Sequence, residues 1–359
     1  MNKQIEWIEN LKQDVPLFLD KLKVDNVPGF FHYSLSGDLY DDNIKWGLGN
    51  TVFATKIYYS LDLLDKLPVK ERKAMANFIK SFQQKDGSLY DPLVKRKTFL
   101  RDKLVGLRNL DYSNFFHKST IRAETRQAIS ALNLLEEGPE IPYLEFPKTK
   151  ERVETYLINL DWEKPWGAGS HFSHLMFFLQ NSNVNNKSEL INYSVDWVNK
   201  LQDPKSGSWY KNEPSLQQKI NGAMKVITGL KVVNKLNFQY PDKLIDLCLA
   251  AKHNEQACDN FNIVYVLKYC NQISSEYKSS KIKEFAYDRL KIYHKYYYPK
   301  LGGFSFNQGQ ANTTYYDAKI SRGQNEPDIH GTVMFLWGIS IITQILEVNQ
   351  KLGFKEFIT

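Results

Sequence analysis

Cysteine is almost missing from this chain. Three occur in 359 residues, Cys248, Cys258 and Cys270. So small and odd a number argues against a disulfide framework and for a reducing compartment. None stands in the C-x-x-C spacing of a zinc site. Long apolar runs are missing too. The best candidate span, "GTVMFLWGISIITQILEVNQ", has an amphipathic edge and meets Glu347 before completing the ~20 uncharged apolar residues a bilayer requires. The opening "MNKQIEWIENLKQDVP" carries charges throughout and does not read as a signal peptide. These absences set the expectation of a cytoplasmic chain without a membrane span. The net charge is +7, but no recognised nucleic-acid module accompanies it, so no nucleic-acid partner is expected.

What the chain does have is bulk, aromatic surface and a repeated phrase. Its length suffices for a large core. Aromatics make up 14% of the residues, enough to build a thick core or to line a cavity. The phrase "FIKSFQQKDGSLYDP" (78–92) returns as "WVNKLQDPKSGSWYKNEP" (197–214) and, more loosely, as "YYYPKLGGFSFNQG" (296–309). Each runs from an apolar or aromatic stretch through a small-residue turn centred on Gly to an aromatic or apolar pair. Amphipathic helices precede the first two: Ala74, Met75, Phe78, Ile79 and Phe82 fall at helical spacing, and Leu190, Val195, Trp197, Val198 and Leu201 form the second apolar set.

A second helix type alternates with these. It is apolar nearly all round, at 50–64, 124–135, 169–179, 220–233, 258–270 and 328–342. A helix apolar on most sides is buried on most sides. About six buried helices ringed by about six half-buried ones predict an all-α fold, a single α/α toroid over 1–359. The repeated phrase is then the turn from an outer helix back to an inner one.

At this point a resemblance becomes specific. "FIKSFQQKDGSLY" and "WVNKLQDPKSGSWY" resemble the Q-x-x-x-G-x-W repeats of squalene and terpenoid cyclases, and the related repeats of protein prenyltransferase beta subunits. "LGGFSFNQGQANTTYYDAKISRGQNEPDIHGTVMFLWGIS" is similar to the last beta-subunit repeat, where a Gly-Gly turn leads through a loop to a D-x-x-H-T helix start. The likeness runs from about Trp46 to Leu346, and it implies the toroid more firmly than any chemistry. The prenyltransferase zinc site takes a D-x-C from the fifth inner helix and a His from the sixth. Here the matching places hold Cys258-Asp259, in reversed order, and His330, one position early. The acidic D-x-D-D of class II cyclases has no counterpart; "EQACDN" and "DLYDDN" are the nearest stretches.

In a toroid, inner-helix N-termini converge at one end of the cavity, where free N–H groups favour anions. The candidates opening those helices are Trp46 and Asn50, Glu124 and Arg126, His171 and His174, Asn221, Asp259 with Cys258, and Asp328 with His330. Asn50, Asp259 and Asp328 are equally good helix caps. His171 and His174 share a helix face and follow Trp166 and the glycines Gly167 and Gly169, which suit a close backbone approach to a ligand. With His330 they suggest an acid–base pair or a divalent-metal site, zinc or magnesium, or else core histidines. The basic insert at 93–123 adds Arg101 and Arg122. From Lys95 to Arg126 it carries nine Lys or Arg against three acids, and a positive mouth focuses an anionic ligand. The polar loop at 307–327 adds Tyr315, Tyr316 and Arg322.

These residues support an enzyme acting on an anionic, isoprenoid-type substrate, with Arg and Lys holding a diphosphate and aromatic faces stabilising a cation. They also support a carbohydrate-active toroid, a lyase, epimerase or hydrolase on an acidic glycan, with the Tyr and His residues as acid and base. A non-catalytic toroid that binds a ligand is the third reading.

Overall fold

The computed structural model describes residues 3–97, 103, 118–251 and 257–359. It is mostly helical. In chain order the helices include α1 (Lys3–Leu22), α2 (Leu48–Ser60), α3 (Val69–Ser81), α4 (Lys118–Leu134), α5 (Lys150–Ile158), α6 (Pro165–Gln180), α7 (Lys187–Asn199), α8 (Leu216–Val232), α9 (Pro241–Leu249), α10 (Ala257–Ile273), α11 (Ser279–His294), α12 (Ile329–Ile345) and α13 (Asn349–Leu352). The described strands are four two-residue pieces in two antiparallel hairpins: β1 (Tyr297–Tyr298) with β2 (Gly303–Phe304), and β3 (Thr314–Tyr315) with β4 (Ala318–Lys319). Among the described residues no helix is long and apolar enough to cross a membrane.

The chain divides into two compact units. The first comprises Met1–Tyr143, Leu290–Ser340 and Val348–Phe357. Here α2 is buried on nearly every side and packs against α3 and α4. The second comprises Leu144–Arg289, Ile341–Glu347 and Ile358–Thr359. Its buried helices stand in sequence, α6 on α8 and α8 on α10. Glycines let α6 and α8 meet at backbone distance. A Cβ on Gly169 would lie 2.8 Å from the Gly222 carbonyl oxygen, and one on Gly222 would lie 2.7 Å from Pro165. Gly169 therefore serves helix packing and not the approach of a ligand, a correction to the sequence reading. Amphipathic α5, α7 and α9 flank these helices, with α5 and α6 each against α7 and α9 against α10.

The repeated phrase folds the same way each time. Gln83 bridges Leu89, Gln202 bridges Trp209 and Tyr297 pairs with Phe304, across Gly87, Gly207 and Gly302 at φ 82°, 74° and 86°. A fourth copy, missed in the sequence, is "KVDNVPGFF": Lys23 bridges Phe31 across Gly29 at φ 87°. In all four, the space a Cβ would need is filled by a main-chain oxygen. The oxygens of Ala74, Pro142, Tyr240 and Asp14 lie 2.3, 2.4, 2.4 and 2.2 Å from the Cβ positions of Gly29, Gly87, Gly207 and Gly302. Gln83 fastens its turn to the following segment, donating from Nε2 to the oxygens of Gly87 at 3.1 Å and Ile141 at 2.7 Å while Oε1 accepts from Glu140 N. Gln202 repeats this, donating to Gly207 O and accepting from Gln239 N.

Candidate functional site

The first unit gathers the richest set of predicted residues. Gly47, at φ 88°, turns the chain into α2 and leaves its first N–H groups free for an acceptor. Asp91 supplies it: Oδ2 accepts from Gly47 N at 2.7 Å and Leu48 N at 3.4 Å, and Oδ1 accepts from Leu93 N at 2.9 Å. Glu124 lies beside it in the second turn of α4, 2% exposed. Among the described residues its carboxyl oxygens accept from Asp91 N alone, at the long distances of 3.3 and 3.4 Å. Burial, and then the charge of Asp91, raise the Glu124 pKa well above the ordinary carboxylate range. Burial also raises that of Asp91. Two adjacent buried carboxyls cannot both ionise cheaply. Asp91, with three amide donors, keeps the charge, and Glu124 keeps the proton.

Tyr315 and Tyr316 reach this pair from the β3–β4 hairpin. Its two loop residues, Tyr316 and Asp317, sit at φ 43° and 65°, the geometry that matches the twist of a two-residue hairpin. Gly49 makes room for Tyr315, since a Cβ there would lie 2.4 Å from the ring carbon Cζ. Burial raises the pKa of both phenols. Arg126 pulls the Tyr316 pKa the other way. All these groups except Asp91 and Arg126 are therefore neutral at pH 7.

His330 lies in the first turn of α12, joined to Tyr315 through Phe53. The Phe53 ring is edge-on to Tyr315 at 5.9 Å and stacks on His330 at 4.7 Å. Phe306 approaches the imidazole at 4.7 Å. Nδ1 lies 3.2 Å from the Tyr33 hydroxyl and 3.3 Å from Asn312 Nδ2. Burial lowers the His330 pKa to about 4. Asp328 caps the same helix, with Oδ1 accepting from Gly331 N at 2.7 Å and Oδ2 from Phe306 N at 2.8 Å and Asn312 N at 3.0 Å. Its oxygens are committed to the backbone, so it places Phe306 and Asn312 around the imidazole.

Other predicted residues have different settings. Asn50 does not cap α2; its Nδ2 donates to Phe31 O at 2.9 Å. Trp46 is a core residue between Phe30 and Tyr40. Arg322 is exposed, and the Arg122 Nε donates to Lys118 O. Arg101 and most of the basic insert lie outside the described residues. In the second unit, Asn221 Oδ1 accepts from Gln217 and Asn262, and its Nδ2 donates to Asp259 Oδ1 at 3.0 Å. His171 and His174 are edge-to-face at 5.8 Å in the second and third turns of α6. The helix begins earlier than expected because Pro165 opens it. Trp166 is half-buried in its first turn.

Among the described residues no group of three or more His, Cys, Asp or Glu gathers as a metal site. The zinc set implied by the resemblance, Cys258, Asp259 and His330, does not form such a group among the described residues. Sequence reasoning missed Asp91, Tyr33 and Asn312. The one signal for Asp91 was its place at the end of the first repeated phrase. No family model matches the chain, and no curated protein matches it.

Proposed function

We propose that the chain is an enzyme of the α/α toroid class that performs acid–base chemistry on an anionic substrate, with Glu124 as the proton donor. The repeated glycine turns and their glutamine ties support the toroid and its likeness to the cyclase and prenyltransferase superfamily. The observation that carries the chemistry is the buried carboxyl of Glu124 next to Asp91, its pKa raised by burial and by that neighbour, with two buried phenols nearby. An acid weakened in this way is suited to protonating an oxygen leaving group and too weak for a carbon–carbon double bond. This favours the acidic-glycan reading, with Arg126 beside the substrate carboxylate. The isoprenoid reading keeps one specific support, the rings of Phe53, Phe306 and Tyr33 around His330. The scarcity of cysteine, with Cys248 and Cys270 buried as free thiols, supports a cytoplasmic setting.

The test is a substrate screen by mass spectrometry with uronic-acid oligosaccharides in one arm and prenyl diphosphates in the other. Turnover of the oligosaccharides, reduced at least about a hundredfold in Glu124→Gln, is the expected result. Turnover that survives Glu124→Gln at full rate would remove Glu124 from the chemistry. Turnover of the prenyl diphosphates alone would reverse the choice of substrate.

A further inference from the structure

We propose that His330 presents a fixed Nε2–H donor to a substrate oxygen, and that Asn312 is the positioning residue that holds it in this form. The idea rests on the site proposed above, but its evidence is separate.

The orientation of Asn312 decides the matter. Its Nδ2 donates to Thr314 O at 2.9 Å, and its Oδ1 accepts from Thr314 N at 3.4 Å. Turning the amide over would set oxygen against oxygen and N–H against N–H. With the amide fixed, the group facing Nδ1 is an N–H, which can only donate. The backbone of Asn312 is held by Asp328 in turn. Nδ1 is therefore an acceptor, the Tyr33 hydroxyl can supply a second donor, and the single proton of a neutral imidazole sits on Nε2. The ring stays neutral because both hydrogen-bond partners are neutral and aromatic rings surround it; burial alone lowers its pKa.

The remaining edge is open. Phe53 stacks on one face, Phe306 leans over the ring, and Nδ1 is engaged, yet the residue is only half-buried. What stays accessible is the Nε2 edge. A neutral imidazole that offers N–H to a developing oxyanion avoids transferring its own proton and needs no reorganisation during the reaction. This is a different job from the base or metal ligand that the sequence suggested, since both of those need a lone pair on the open nitrogen.

The experiment uses the full chain labelled with ¹⁵N-histidine. Long-range ¹H–¹⁵N spectra at pH 7 are recorded for the wild type and for His330→Gln, which identifies the His330 signals by their disappearance. The expected result is the Nε2–H tautomer. The Nδ1–H tautomer or an imidazolium would overturn the proposal. Asn312→Asp replaces the donor by a carboxylate, and His330 is expected to switch to Nδ1–H or to become charged. An unchanged tautomer in that variant would remove Asn312 from its role. Adding tri-galacturonate should move the Nε2 signal more than the Nδ1 signal, and the reverse counts against the donor role. Failure of this probe to bind would strike at the glycan reading, while the tautomer result would still decide the state of His330.

Discussion

Replacing turn glycines by alanine separates two costs that usually arrive together. Gly138 lies outside the left-handed region, and a Cβ there would meet nothing within 4 Å. Gly309 is left-handed at φ 72° but equally open. Gly87 is left-handed at φ 82°, and its Cβ would lie 2.4 Å from the Pro142 oxygen. Gly138→Ala should therefore change stability by less than about 0.5 kcal/mol. Gly309→Ala should cost about 1–2 kcal/mol, the penalty of a left-handed residue with a Cβ. Gly87→Ala adds to that an overpacking term of about 1–3 kcal/mol, because a main-chain oxygen cannot swing aside as a side chain can. A total of roughly 2–5 kcal/mol is a large part of the ~5–15 kcal/mol that holds a typical protein folded. Urea denaturation of the three variants, compared by midpoint and slope, measures the ladder. If Gly87→Ala costs no more than Gly309→Ala, the carbonyl contact is not what selects glycine, and the account of all four turns fails.

Two further outcomes follow from the site. His330 has a native pKa of about 4 against an unfolded value of 6.5. The unfolded chain therefore binds the proton first, and stability falls as pH drops from about 6.5 to about 4, by roughly 3 kcal/mol in all. His330→Gln should lack this part of the pH dependence, and parallel stability–pH curves for variant and wild type would contradict the buried neutral imidazole. Asp328→Asn keeps an acceptor for Gly331 N but turns an NH₂ toward the amides of Phe306 and Asn312. Chemical denaturation at pH 7 should show a loss of about 2–4 kcal/mol from the two stranded donors, net of the relieved burial of charge. A loss below about 1 kcal/mol would mean that the loop does not depend on this carboxylate.

The helices were legible because burial on all sides leaves an all-round apolar stretch, and the turns were legible where glycine stood between apolar pairs. The Gly29 turn escaped because "KVDNVPGFF" lacks the glutamine and carries Pro28 instead. Helix starts were misplaced where polar residues continue inward: α4 reaches back at least to Lys118 and α6 begins at Pro165, so Glu124 and His174 lie deeper than capping positions. The candidate site was readable as a list of polar residues but not as a circuit. Asp91 meets Glu124 across 33 positions of sequence, and nothing local marks an aspartate that will be sealed from water. Asn312 reads as one more polar loop residue until its amide is fixed by Thr314 and its backbone by Asp328.

The β3–β4 turn carries a warning for anyone redesigning this chain. Tyr316 and Asp317 occupy left-handed positions that turn statistics would assign to Asn-Gly. A consensus-guided thermostabilisation would flag this pair first and would gain stability from the exchange. It would also delete a phenol that stands near the Glu124 carboxyl and the Arg126 guanidinium. Local strain in a hairpin of four paired residues is thus a marker to be preserved, and a sequence optimised for rigidity alone would yield a sturdier and emptier protein.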